Sequence, residues 1–101
     1  MPRRIVYAPE AEAQLTRLYR YIAGEASPAI ARGFTDAIVD QCESLHQFPD
    51  RGTPRNDLRP GLRTIAFRRR VVIAYIVSAG AVTIVGIFYG GQDYEAILDD
   101  A

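Results

Sequence analysis

The spacing of apolar residues along the chain changes twice. Residues 3–7, RRIVY, form a short β-type run closed by Ala8 and Pro9. From Pro9 the period becomes helical, with Ala11, Leu15, Leu18, Tyr19 and Ile22 making one apolar stripe. Pro9 suits the first position of that helix, and Glu10 and Glu12 suit the positive end of its dipole. Gly24 is expected to end it. Ser27 and Pro28 signal a second start, with Ser27 as N-cap. Ile30, Phe34, Ala37, Ile38, Cys42, Leu45 and Phe48 form the second stripe, which Pro49 stops. Gly33 on its flank is expected to admit the first helix closely. A connection of three residues, 25–27, implies an antiparallel helical hairpin.

Beyond the helices the pattern turns strand-like. Residues 49–61, PDRGTPRNDLRPG, read as a loop. Three runs follow, Leu62–Phe67, 71–78 and Ala81–Tyr89, with hairpin turns at 68–70 and 78–80. Gly90 and Gly91 end the last strand, and Asp93 is placed to cap a final turn, YEAIL. The order β-α-α-β-β-β predicts one α+β domain over 1–101. Its helical hairpin packs on one face of a mainly antiparallel four-stranded sheet. The other face, assigned Ile65 and Phe67 or their alternates together with Tyr75 and Tyr89, is expected to need cover from a partner.

Composition sets limits on this picture. At 101 residues and 49% hydrophobic, the chain supports one modest core. The longest apolar run, VVIAYIV at 71–77, is far shorter than the roughly 20 residues of a membrane helix. The start, MPRRIVYAPEAEA, lacks the apolar centre of a secretory signal, so a cytoplasmic protein is expected. Cys42 is the single cysteine, which excludes an internal disulfide and a cysteine-rich metal site. Neither metal nor cofactor is expected.

Charge sharpens the picture further. The chain is formally neutral, yet seven of its twelve arginines fall between positions 51 and 70, against one acid, Asp57. Lysine is absent, and arginine binds anions but cannot act as a general base. Strand alternation sends Arg63, Ile65 and Phe67 to one face and Leu62, Thr64 and Ala66 to the other. The arginines therefore do not share one surface, and a neutral total gives little long-range pull on nucleic acid. Arg63 stands apart. Inside a strand, beside Ile65 and Phe67, its guanidinium needs partners, either as a structural ion pair or as a functional contact.

Three passages carry a family resemblance. APEAEAQLTRLYRYIA at 8–23, LHQFPDRGTPRNDLRPGLR at 45–63 and GIFYGGQDYEAIL at 86–98 occur in an order that resembles the ParE/RelE superfamily of bacterial toxins. These are the plasmid stabilisation proteins of type II toxin–antitoxin systems, and the ParE branch is the closer. The resemblance implies a hetero-oligomer with a cognate antitoxin, ParD-like or related. It implies one of two activities: inhibition of DNA gyrase, or cleavage of mRNA on the ribosome. For the first, Arg59, Arg63, Arg68, Arg69, Arg70, Tyr75, Tyr89 and Asp93 are the candidate target- or antitoxin-binding residues. For the second, Arg63, Arg69, Arg70 and Tyr89 are the candidate catalytic residues, with Tyr89 standing where many relatives carry histidine. An unperturbed tyrosine titrates near pH 10 and is alone a poor base. The only histidine, His46, lies near the end of the second helix, far along the chain from the strand residues.

Overall fold

The structure is a computed structural model in which residues 3–90 and 94–99 are described. Strand β1 (Arg4–Tyr7) leads into helices α1 (Pro9–Glu25) and α2 (Pro28–Glu43). Two short 3-10 turns, Ser44–His46 and Pro49–Arg51, then precede β2 (Thr53–Pro54), β3 (Leu62–Phe67), β4 (Val71–Val77) and β5 (Ala81–Tyr89). A last short helix, α3, spans Tyr94–Asp99. The sheet order is β1-β5-β4-β3-β2, with β1 parallel to β5 and the other pairs antiparallel. The sheet therefore has five strands rather than four. Thr53 and Pro54 pair with Thr64 and Arg63, and two residues are too few to show a strand period in the sequence.

Local chemistry explains the helix starts. Pro9 occupies the first turn of α1, and the Ser27 hydroxyl accepts the Ile30 N–H at 3.1 Å to cap α2. Helix α1 runs one residue beyond Gly24. Gly33 does not serve close helix packing, because a Cβ built there meets nothing within 4 Å. The ends of the second stripe also depart from expectation. Ile30 is 59% exposed and Phe48 is 62% exposed. Helix α2 stops at Glu43 and the chain continues as 3-10 turns, which advance fewer residues per turn and rotate Phe48 out of the apolar stripe.

One core lies between the helices and the sheet. Ala11, Leu18, Ile38, Cys42 and Leu45 meet Val71, Ile73, Tyr75, Val82, Ile84 and Ile87, with Ile65, Phe67 and Tyr89 packed at its margin. Tyr75 and Tyr89 thus lie on the helix-covered face, as do Ile65 and Phe67. Leu62, Ala74 and Phe88 occupy the opposite face, where Leu98 of α3 covers them. That face is partly closed from within the chain.

A bulge reconciles β5 with both cores. Ala74 pairs with Gly86 but Tyr75 pairs with Ile84, so Val85 is the extra residue and alternation resets there. Val82 and Ile84 before it, and Ile87 and Tyr89 after it, consequently face the helices. A Cβ on Gly86 would overlap the Phe88 ring, so any side chain there requires that ring to move. Past the end of β1 the Ile87 N–H finds the Gln14 Oε1 of α1 at 2.7 Å. Among the described residues no helix is long and apolar enough to cross a membrane.

Candidate functional site

The arginine-rich segment separates into three structural parts. In the first, Arg63 and Tyr75 stand opposite each other on β3 and β4 and together hold residues 49–52. Arg63 Nη1 donates to the carbonyls of Asp50 (3.1 Å) and Gly52 (2.7 Å), and its Nη2 lies 3.7 Å from Asp50 Oδ1. The Tyr75 hydroxyl donates to the Pro49 carbonyl at 2.9 Å and accepts the Gly52 N–H at 2.8 Å. Glycine is required at 52, because a Cβ there would sit 2.6 Å from that hydroxyl oxygen. Burial raises the Tyr75 pKa, so the phenol stays protonated and keeps donating. Arg51 adds a bond from Nη1 to Ser44 Oγ at 3.0 Å. These contacts turn 49–52 into a rigid shoulder that carries the exposed Phe48.

The second part fastens the C-terminal helix. Arg55 donates from Nε and Nη2 to the Asp57 carboxylate at 3.0 and 2.9 Å, from Nη2 to Glu95, and from Nη1 to the Tyr94 hydroxyl at 3.3 Å. Its guanidinium holds the Asp57 carboxyl below the ordinary range. Arg59 Nε reaches the Leu98 carbonyl at 3.2 Å, occupying one of the carbonyls a helix end leaves open.

The third part is the β3–β4 turn, where Arg68, Arg69 and Arg70 are all exposed. Arg68 lies over the Phe67 ring at 4.9 Å and near the Phe34 ring at 5.9 Å. Phe34 continues edge-on to Tyr89 (6.2 Å), and Tyr89 meets Tyr21 of α1 (6.1 Å). A groove of about 380 Å³ runs beside this aromatic ladder, lined by Gln14, Arg17, Leu18, Tyr21, Ile87, Tyr89 and Gly90.

The profile of the family described as "ParE toxin of type II toxin-antitoxin system, parDE" matches residues 5–94. The chain belongs to the ParE toxin family. A solved chain of the "Chromosomal ParDE TA system from P. aeruginosa" superposes with a TM-score of 0.76 at 24% identity. The match covers 87% of this toxin and 96% of that chain, and at such identity it shows the shared fold. No curated protein matches the sequence. A ParE toxin is one half of a pair, so an antitoxin is its partner.

The toxin's candidate residues do not converge on one centre. Arg63 faces Tyr75, whereas Tyr89 faces Val71, which pairs with Phe67 four residues further along β3, roughly 13 Å away. Arg69 and Arg70 lie at that far end with Tyr89, and Arg63 does not. Tyr75, at 0% exposure, is a core post and presents no surface to a partner. His46 is half-buried, and its Nδ1 is enclosed without a hydrogen-bond partner among the described residues. Asp93 lies outside the described residues. Sequence reasoning missed the tethering role of Arg55, which reads as a loop charge until α3 is folded back upon it. It also missed the aromatic ladder, whose members come from α1, α2, β3 and β5.

Proposed function

We propose that this toxin acts by binding DNA gyrase without covalent chemistry of its own, and that a cognate ParD-like antitoxin neutralises it in a hetero-oligomer. The observation that carries this reading is the dispersal of the groups an RNA-cleaving centre needs. Attack by a 2′-hydroxyl requires a base and cations gathered around one phosphate. Here Arg63 is committed to the carbonyls of Asp50 and Gly52, at a distance from Arg69, Arg70 and Tyr89. What remains at the surface is suited to docking: the basic turn of residues 68–70, the groove beside Tyr21 and Tyr89, and the shoulder bearing Phe48. Arg59, Arg63 and Tyr75 contribute by shaping that surface from beneath.

The test is a supercoiling assay with purified gyrase and the purified chain. Inhibition with accumulation of cleaved DNA is expected. Undiminished supercoiling by a preparation that still arrests growth on induction in cells overturns the reading and favours the ribosome as target.

A further inference from the structure

Of the seven arginines between positions 51 and 70, four are engaged by the fold. Arg51 meets Ser44, Arg55 meets the acids around α3, Arg59 meets the Leu98 carbonyl, and Arg63 meets the carbonyls of Asp50 and Gly52. The other three, Arg68, Arg69 and Arg70, sit exposed at the tip of the β3–β4 hairpin, and among the described residues none of them forms an ion pair.

The backbone there is unfavourable for the residues it carries. Arg68 has φ 50° and Arg69 has φ 61°, the left-handed region that a tight hairpin turn demands. Asparagine and glycine enter that region most easily, and long side chains do so at a cost. The turn thus displays guanidinium groups where backbone preference alone would select against them. The Arg68 guanidinium lies 4.9 Å from the Phe67 ring centroid and 5.9 Å from that of Phe34, a cation–π contact that leaves the residue exposed. The Arg70 carbonyl accepts the Gly90 N–H at 2.9 Å, which fastens the tip to the end of β5. Gly90 also borders the groove that holds Arg17, an exposed fourth cation on the same side.

We propose that this hairpin tip is a phosphate-backbone contact for duplex DNA. Planar guanidinium groups match phosphate oxygens two at a time, and a two-stranded ribbon fits a DNA groove about 12 Å wide. Protein-binding hot spots combine arginine with Trp or Tyr packed together into desolvated pockets. At this tip the nearest rings, Phe67 and Phe34, lie beneath Arg68 instead. Three or four phosphate contacts give weak, salt-sensitive binding, which suits a toxin whose target already holds DNA. That use rests on the gyrase reading; the binding itself does not.

The experiment is fluorescence anisotropy of a labelled duplex of about 20 base pairs with the purified full-length chain and no gyrase, at salt from about 50 to 200 mM. Binding at low salt is expected, with a slope of log K against log salt of roughly −3. Arg69→Gln with Arg70→Gln is expected to weaken binding at least about tenfold and flatten the slope by about 2. Arg3→Gln with Arg4→Gln removes equal charge at the opposite end of the sheet, beside the 78–80 turn, and should change affinity by less than about twofold. Should circular dichroism show the first pair unfolded, Arg70→Gln alone, at a position of ordinary φ, should lower the slope by about 1.

The proposal is overturned by absence of binding at low salt or by equal losses in both double variants. It is also overturned by poly-glutamate binding as tightly as the duplex, which would make the tip an acidic-protein contact. Since the assay contains no gyrase, failure of the supercoiling experiment leaves this result standing, and the reverse.

Discussion

Tyr75 shows how one side chain can decide the shape of a distant loop. Its ring fills the core at 0% exposure, while its hydroxyl joins the Pro49 carbonyl to the Gly52 N–H. Removing only that oxygen keeps the packing and leaves a buried N–H and a part-buried carbonyl without their partner. Tyr75→Phe is therefore expected to cost about 1–3 kcal/mol in urea unfolding, with an unchanged denaturant slope. A loss below about 0.5 kcal/mol would mean that water replaces the hydroxyl and that the shoulder does not depend on it. Arg63 works in the same place from the neighbouring strand. Its partners are carbonyls within 49–52, which no sequence pattern links to position 63.

Among the elements, α3 depends most on side-chain tethers. It has six residues, too few to be stable alone, and it covers Leu62, Ala74 and Phe88 through Leu98. Arg55 holds its first turn through Glu95 and Tyr94 while also pairing with Asp57. The Asp57 carboxyl lies below its ordinary value of 3.8 because of Arg55, so its protonation opposes the folded state. This contribution is fully present above about pH 3.8 and is lost as pH falls through the lower folded value. Thermal unfolding midpoints should accordingly drop on acidification below that point, and Asp57→Asn should flatten the drop. An identical acid dependence in wild type and variant would remove Asp57 from the tether. Arg55 was legible in the sequence only as one loop charge among several. Its role needs α3 folded back across some forty intervening residues, which no local pattern encodes.

For the molecule as a whole, the single thiol offers a probe of cooperativity. Cys42 is 0% exposed between α2 and the sheet, and burial pushes its pKa up to about 12. Both effects suppress the reactive thiolate, so labelling requires the helical hairpin to leave the sheet. Alkylation at neutral pH should run at least about a thousandfold slower than in denaturant, as expected for a domain of ordinary stability. Rapid labelling under native conditions would show that α2 detaches locally.

The periodicity of the chain by itself determined the two helices, the three long strands and their hairpin connections, while three residue passages carried the resemblance to the family. These depend on neighbours in sequence: the Ser27 cap, the alternation of 62–67, and the turn spacing at 68–70. Tertiary structure alone decided the fifth strand, since Thr53 and Pro54 are extended only because β3 offers a partner edge. It decided the face of Tyr89, because the bulge at Val85 resets alternation along β5 once β4 and β5 are paired. It also divided the arginines, binding four into the fold and leaving three at one tip. Charge density is a property of the sequence, but which charges the fold engages depends on the carbonyls and carboxylates that folding brings beside them.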